Sequence, residues 1–336
     1  MVSQLPIRSV VVLHRSPDDF RARLEAGFPA VKFTWVDRLD RVEEALAAAR
    51  PDAVFSIAQA GFRSDTHGIA ASYETVRWVH CGGSGYDHLL PLDRGRTVLT
   101  NCAGVLAPYL AETVIGAIYA LNGNFPEYLA QQRQRHWRSI PFRSLSEQSL
   151  MVIGLGAIGS AVAQKASAAG MRVLGVSRSK RPSQSIDEQF LLAELKNVIG
   201  MADVITVHVP LNGETRHLID RQMIEAMKPG AIFINTARGD LVDEDALFDA
   251  LKSRHIRAAY LDVFRQEPLP ATSQFWDLDN IIITPHCADA IVGWARKYSD
   301  VFATNLARWD SGEPMLNLVA RPASGARSRP QGVSDV

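Results

Sequence analysis

Arg238, Asp262, Glu267 and His286 stand at or just past the ends of three short apolar runs, 231–235, 258–262 and 281–284. A further run, 204–207, is followed by His208-Val209-Pro210. If these runs are strands of one doubly wound sheet, their carboxyl ends form the edge where ligands bind, and the side chains gather there. A guanidinium, carboxylates and an imidazole suit reduction of a carbonyl carbon by hydride. That reaction needs a cation to hold an anionic substrate, an acid to protonate the new oxyanion, and a group that keeps the acid charged. Arg238 can grip a carboxylate with two parallel hydrogen bonds and polarise the neighbouring carbonyl. His286 can titrate near neutral pH, and Glu267, in contact with it, would favour the protonated form and fix its orientation. Taken one at a time the residues have plainer readings: Arg238 as a turn cap, Glu267 as surface loop ahead of Pro268, His286 as a satisfied buried histidine.

A hydride source is signalled upstream. Gly154-Leu155-Gly156-Ala157-Ile158-Gly159 directly follows the apolar run 150–153 and opens an Ala-rich helix that ends at Gly170. In that setting the first glycine permits a tight turn, the second lets the backbone approach a pyrophosphate, and the third lets helix and strand pack closely. The helix N-terminus then faces the anion. The alternative is an ordinary glycine-rich turn between a strand and a helix. NAD-binding folds usually place Asp or Glu at the end of the second strand, where it accepts hydrogen bonds from the ribose. Here Val176 is followed by Ser177-Arg178-Ser179-Lys180-Arg181, hydroxyls and cations where a 2′-phosphate would need them. The sequence therefore predicts NADP(H) as the preferred cofactor, with NAD(H) possible. A merely solvated basic loop is the other reading.

The elements that must position these residues alternate. Runs 10–13, 31–36, 53–57, 76–80 and 97–100 are separated by helix-like segments near 18–26 and 41–49 and by Gly82-Gly83-Ser84-Gly85. Six further runs, 150–153, 171–176, 204–207, 231–235, 258–262 and 281–284, make a second series. Strand-helix alternation argues for parallel sheets with crossover helices. The expected fold is α/β: two Rossmann-like doubly wound parallel-sheet domains with the active-site cleft between them. Residues 1–103 plus 290–320 are expected to form a substrate-binding, flavodoxin-like domain, 104–289 a dinucleotide-binding Rossmann domain, and 321–336 a disordered tail. Segment 107–121 is apolar on nearly every face, so it is read as a buried helix that bridges the lobes or packs against another subunit. Segment 290–309 reads as a helix returning to the first lobe.

The chain has 336 residues, enough for two cores. With 47% hydrophobic and 21% charged residues it is neither disordered nor fibrous. Thirty-six basic residues balance thirty-six acidic ones, which supplies no global field for a nucleic acid or an anionic membrane. No run reaches transmembrane length, and the first apolar run is too short for a signal peptide. Cys81, Cys102 and Cys287 show no CxxC spacing, so neither a disulfide framework nor a metal site is expected, and the cytoplasm is the default compartment.

Together these residues resemble the D-isomer-specific 2-hydroxyacid dehydrogenase family over about residues 10–315. The pieces that match, in order, are Gly83-Ser84-Gly85-Tyr86-Asp87-His88, Ala111-Glu112, the glycine fingerprint, His208-Val209-Pro210-Leu211, Asn235-Thr236-Ala237-Arg238-Gly239, Leu261-Asp262-Val263-Phe264, Glu267-Pro268 and Thr284-Pro285-His286. The resemblance implies Arg238 as substrate-binding arginine, His286 as proton donor and Glu267 as its partner. It also implies that Ser84 and Gly85 amides hold the substrate carboxylate and that Asp262 bonds the nicotinamide carboxamide. Thr236, Ala237, Val209, Pro210, Ala157 and Ile158, with Arg238 and His286, would line the cofactor. Within the family the chain is most similar to glyoxylate and hydroxypyruvate reductases, through the basic Ser-Arg stretch and the pair His136-Trp137. Trp137 would then reach a neighbour's substrate pocket or serve as simple packing. Two positions depart from the pattern: Asp289, where relatives carry a small residue, and Cys287. Asp289 is expected to cap the following helix, and Cys287 to be inert.

The expected activity is NADP(H)-dependent reduction of small 2-oxo acids, glyoxylate or hydroxypyruvate, to glycolate or D-glycerate by a homodimer. A cofactor-sensing module without turnover would use the same fold, but the complete Arg238, Glu267, His286 set argues against it. The nearer rival is an NAD-dependent dehydrogenase of another D-2-hydroxy acid, such as phosphoglycerate. The missing ribose carboxylate argues against that.

Overall fold

Runs of β-branched and aromatic residues become strands buried on both faces, as expected where crossover helices cover a parallel sheet. The computed structural model describes residues 5–57, 65–89 and 96–320. The chain divides into two compact units, Met1–Ala103 with Gly293–Val336, and Gly104–Val292. The first unit opens with β1 (Ser9–Leu13), α1 (Asp18–Gly27), β2 (Lys32–Val36), α2 (Val42–Ala49), β3 (Ala53–Ser56), α3 (Thr66–Ala71), β4 (Trp78–Cys81) and β5 (Val98–Asn101). All five strands pair in parallel. The expected tail, 321–336, lies outside the described residues.

The second unit begins with α4 (Ala107–Asn122) and α5 (Phe125–Arg133). There follow β6 (Ser149–Ile153), α6 (Ala157–Ala168), β7 (Arg172–Ser177), β8 (Glu188–Leu191), α7 (Leu195–Val198), β9 (Val204–Val207), α8 (Arg221–Ala226), β10 (Ala231–Asn235), α9 (Glu244–Lys252), β11 (Ile256–Leu261) and β12 (Ile281–Ile283). The strands form one parallel sheet in the order β12-β11-β10-β9-β6-β7-β8. Chain direction across the sheet reverses between β6 and β9, the switch point at which such sheets open a crevice for ligands. The sheet has seven strands where the apolar runs gave six. The added β8, Glu-Gln-Phe-Leu, is half-polar at an edge and carries no apolar run for sequence reading to find. Nor is α4 buried all round. Leu110, Ala111, Val114, Ile118 and Leu121 pack into the core with Val162 and Ala166 of α6, while Glu112, Gly116 and Tyr119 face outward.

The last described elements, α10 (Trp294–Ser311) and β13 (Leu318–Ala320), belong to the first unit. Strand β13 adds to β5 antiparallel, so the first sheet runs β13-β5-β4-β3-β1-β2 and is parallel except at that edge. Helix α10 buries Phe302 flat between Phe55, at 4.5 Å, and Trp78, at 5.0 Å between ring centroids. Trp309, two turns on, also stacks on Trp78. The helix starts at Trp294, behind Gly293 at φ +75°, four residues later than its hydropathy suggests. Asp289 therefore does not cap it.

Candidate active site

The loop after β6 tests whether a dinucleotide fits. Gly154 has φ +102°, and a Cβ there would lie 2.7 Å from the carbonyl of His208 on the loop after β9. A Cβ on Gly159 would meet the Gly154 carbonyl oxygen at 1.9 Å, so helix and strand touch as only glycine allows. At Gly156 nothing lies within 4 Å, so the backbone is bare toward open space. Directly after it α6 begins, with no side-chain cap on its first turn. Donor amides and the positive end of the helix are thus presented across an open approach, which suits an anion. The Thr236 hydroxyl, at the end of β10, is buried without a hydrogen-bond partner. A polar atom of that kind is costly to leave unsatisfied and suits a bound polar group. These residues fit a dinucleotide.

Backbone bonds place the chemical groups side by side. Asp262 N donates to Asn235 O (3.0 Å), and His286 N donates to Asp262 O (2.8 Å), so the ends of β10, β11 and β12 are stitched in series. His286 Nδ1 lies 2.7 Å from Glu267 Oε2, and both side chains are about 70% buried. The other Glu267 oxygen accepts from Phe264 N (3.1 Å). His286 has φ +51°, a left-handed conformation that L-residues rarely take. Asp262 secures it: Oδ1 accepts from Cys287 N (2.9 Å) and Thr284 Oγ1 (2.5 Å), and Oδ2 from Ala288 N (3.1 Å). Burial pushes the Asp262 carboxyl up, against the pull of these donors. Its carboxylate therefore serves first the backbone beneath His286, and any carboxamide would share it with these groups. Arg238, half-buried, leaves β10 one turn away, and its Nη1 donates to Ala237 O (2.7 Å).

His208 plays a different part from its neighbours on this edge. Desolvation pushes its imidazole down to about 3, and Nε2 lies 2.9 Å from Thr206 Oγ1. It is neutral at physiological pH, and it is the His208 backbone that lies against Gly154.

A family model described as D-isomer specific 2-hydroxyacid dehydrogenase, NAD binding domain, matches residues 115–288, more than half of the chain. The chain belongs to this family. Among curated relatives, the D-3-phosphoglycerate dehydrogenase of Methanocaldococcus jannaschii is 33% identical over 76% of this chain and 50% of its own. This chain thus spans about half the length of that relative. The glyoxylate reductase of Korarchaeum cryptofilum is 32% identical over 70% of this chain and 72% of its own. Among solved structures, the NADPH-dependent glyoxylate/hydroxypyruvate reductase of Sinorhizobium meliloti, in complex with NADP and sulfate, superposes with a TM-score of 0.78 at 25% identity. That match covers 93% of this chain and 98% of the other.

In this member of the family the remaining predicted site residues fall in two places. Ser177, Arg178 and Ser179 follow β7, next to the glycine loop, where Gly154 N donates to Val176 O (2.8 Å). Ser177 Oγ donates to Ser179 O (2.7 Å), and Arg178 is exposed with no ion pair among the described residues. Val209 and Ala237 are half-buried at the same sheet edge, and Pro210 and Ala157 are exposed there. Ser84 and Gly85 lie in the first unit, in the turn after β4. The carbonyls of this turn are taken: Gly83 O by Cys102 N (2.9 Å), Ser84 O by Asn101 Nδ2 (2.8 Å) and Gly85 O by Cys81 Sγ (3.3 Å). The amides of Ser84 and Gly85 have no acceptor among the described residues. Trp137 is fully exposed.

Two residues escape a reading of the sequence. A Cβ on Gly239 would lie 2.0 Å from the Phe264 carbonyl carbon, so the arginine turn and the glutamate loop press together there. Glu244 Oε1 accepts from Arg265 N (2.6 Å) in the same loop. In sequence Gly239 is one more glycine of a family signature, and Glu244 one acid among three at a helix start.

Proposed function

We propose that the protein is an NADP(H)-dependent reductase of small 2-oxo acids, glyoxylate or hydroxypyruvate, yielding glycolate or D-glycerate. The observation that supports it best is the 2.7 Å contact between His286 Nδ1 and Glu267 Oε2, on the sheet edge that also carries Arg238 and the glycine cradle. The bound dinucleotide would supply hydride to the carbonyl carbon of the substrate. His286 gives its Nε2 proton to the developing alkoxide, and Glu267 holds the ring with that nitrogen outward. Arg238 binds the substrate carboxylate, and the first unit offers the bare amides of Ser84 and Gly85 as donors for an anion. Segment 104–289 then holds the dinucleotide, and 1–103 with 290–320 contributes to substrate binding.

Gly154, Gly156, Ala157, Ile158 and Gly159 would cradle the pyrophosphate of a bound dinucleotide, and Val209, Pro210, Thr236, Ala237 and Asp262 would line the rest of its site. Ser177, Arg178 and Ser179 support the NADP(H) preference, because an exposed guanidinium just past β7 suits a doubly charged 2′-phosphate. We place the enzyme in the cytoplasm, where its three free thiols stay reduced, and read it as a homodimer. No described helix is long and apolar enough to cross a membrane.

Initial rates with glyoxylate, hydroxypyruvate and D-3-phosphoglycerate, each run with the phosphorylated and the unphosphorylated cofactor, test the reading. Highest kcat/KM for glyoxylate or hydroxypyruvate with NADPH is expected. A preference for NADH, or for phosphoglycerate oxidation, overturns it.

A further inference from the structure

We propose that Glu244 is a positioning residue for proton transfer, holding the loop from which Glu267 reaches His286. The proposal rests on the reading of Glu267 and His286 as the proton-donating pair. Its starting point is that Glu244 has no work to do on its own helix. The cap of α9 is Asp243, whose carboxylate accepts from Ala246 N (3.0 Å). Glu244 instead turns toward the loop after β11, with only 14% of its side chain exposed. Its Oε1 accepts from Arg265 N at 2.6 Å, and Oε2 from Arg265 Nε at 3.3 Å.

The preceding amide, Phe264 N, donates to Glu267 Oε1 (3.1 Å), and Glu267 Oε2 meets His286. Two carboxylates from different elements therefore take consecutive amides of one turn. Gly239 closes the third side, because only a residue without Cβ lets the chain behind Arg238 lie against the Phe264–Arg265 peptide. Rotation of that peptide would swing Phe264 N away from Glu267, and the bond from Glu244 to Arg265 N opposes the rotation. Without it the Arg265 amide loses its carboxylate acceptor, and nothing on α9 then opposes rotation of the peptide toward another partner.

The other groups that could move a pH profile can be named. Asp262, Cys287 and Asp289 lie around His286, with Arg238 past the end of β10, two strands from β12. Asp240, Asp245 and Arg265 lie around Glu244. All are unchanged in the variants below.

The test is the pH dependence of kcat for glyoxylate reduction with NADPH, measured for wild type, Glu267→Gln, Glu244→Ala, Glu244→Asp and Glu244→Gln. Reduction needs a protonated imidazole, so loosening its carboxylate moves the alkaline fall in rate to lower pH. Glu267→Gln should show that shift. Glu244→Ala should show it in the same direction, with kcat lowered about tenfold or more, as expected for a small displacement in a catalytic pair. Glu244→Asp keeps the charge and falls short of Arg265 N, so it should shift part of the way and stands in if the alanine variant does not fold. Glu244→Gln retains an acceptor oxygen and should restore the wild-type profile. If Glu267→Gln shifts while Glu244→Ala and Glu244→Asp only melt earlier with unchanged profiles, the positioning role is wrong and the pair survives. If Glu267→Gln itself leaves the profile unmoved, the pair fails and Glu244 with it.

Discussion

A left-handed backbone at a β-sheet edge costs an L-residue about 1–2 kcal/mol, and His286 holds it at φ +51°. Such strain persists where surrounding bonds over-determine it. Here Asp262 supplies them, taking the two amides that follow the histidine while its own carbonyl takes the histidine amide. The ring is thereby aimed by backbone rather than by its own packing, and Glu267 has only to hold Nδ1. Arg238, past the end of β10, donates from Nη1 to the carbonyl of Ala237, and its own carbonyl accepts from Asn235 Nδ2. Both groups should be required, because an acid and a charged anchor contribute to the same transition state. His286→Ala is expected to lower kcat for glyoxylate by about 10²–10⁴-fold, the usual worth of a positioned general acid. Arg238→Ala should lower kcat/KM by several kcal/mol equivalent, loss of a charged anchor for a developing anion being of that order. Single-turnover rates near wild type in either variant would refute the role given to that side chain.

At the opposite, amino ends of the strands a different set of charges holds the sheet together. Asp203, just before β9, accepts from Ser149 N and Oγ (both 3.0 Å) at the start of β6. It also accepts from Lys228 Nζ (2.6 Å) ahead of β10 and from Arg143 Nη1 (3.0 Å). Burial opposes its charge, but these donors outweigh it and bring the carboxyl down to about 2. A carboxyl depressed by folding contributes stability above its unfolded value of about 3.9, and that contribution is lost as pH falls through the folded value. Asp203→Asn should therefore melt earlier than wild type at neutral pH, with the gap narrowing below about pH 4. Equal melting temperatures at pH 7 would show that the cluster contributes nothing. Much of this sheet was legible, since 150–153, 204–207 and 231–235 are apolar runs between glycines and polar turns, and a strand buried on both faces needs little else. The glycine fingerprint and the Arg, Glu and His past the strand ends were legible for the same reason, because each sits at a fixed offset from such a run. Strands β8 and β13 were not, being defined by their partners rather than by composition. The start of α10 was misread because Ala290-Ile291-Val292 has helical hydropathy, yet runs irregularly up to the turn at Gly293. Glu244 was invisible because its partner is a backbone amide 21 residues away, and an amide has no signature in a sequence.

Charge balance and apolar content make the chain an ordinary globular protein, and what it exposes is then informative. Between residues 119 and 142 five large apolar side chains stand open: Tyr119 at 52%, Phe125 at 58%, Leu129 at 55%, Trp137 at 101% and Phe142 at 66%. Isolated exposed hydrophobics need no explanation, whereas contiguous apolar patches are where partners bind. The inner face of α4 is already packed against the core, so the outer face with α5 and the segment after it is what remains to be covered. A second copy of the chain is the occupant proposed, since two-fold symmetry would apply the same patch to itself and most soluble oligomers close that way. Each fully buried aromatic or leucine side chain contributes about 1.5–3 kcal/mol against an association cost of about 4–15 kcal/mol, so a stable dimer needs most of the five buried on both copies. Light scattering of the wild type at micromolar concentration should give twice the chain mass. Phe125→Asp with Leu129→Asp, both on the exposed side of α5, should give a monomer with an unchanged far-ultraviolet circular dichroism spectrum. A monomeric wild type would remove the self-association reading, and a dimer that survives both aspartates would move the interface away from α5.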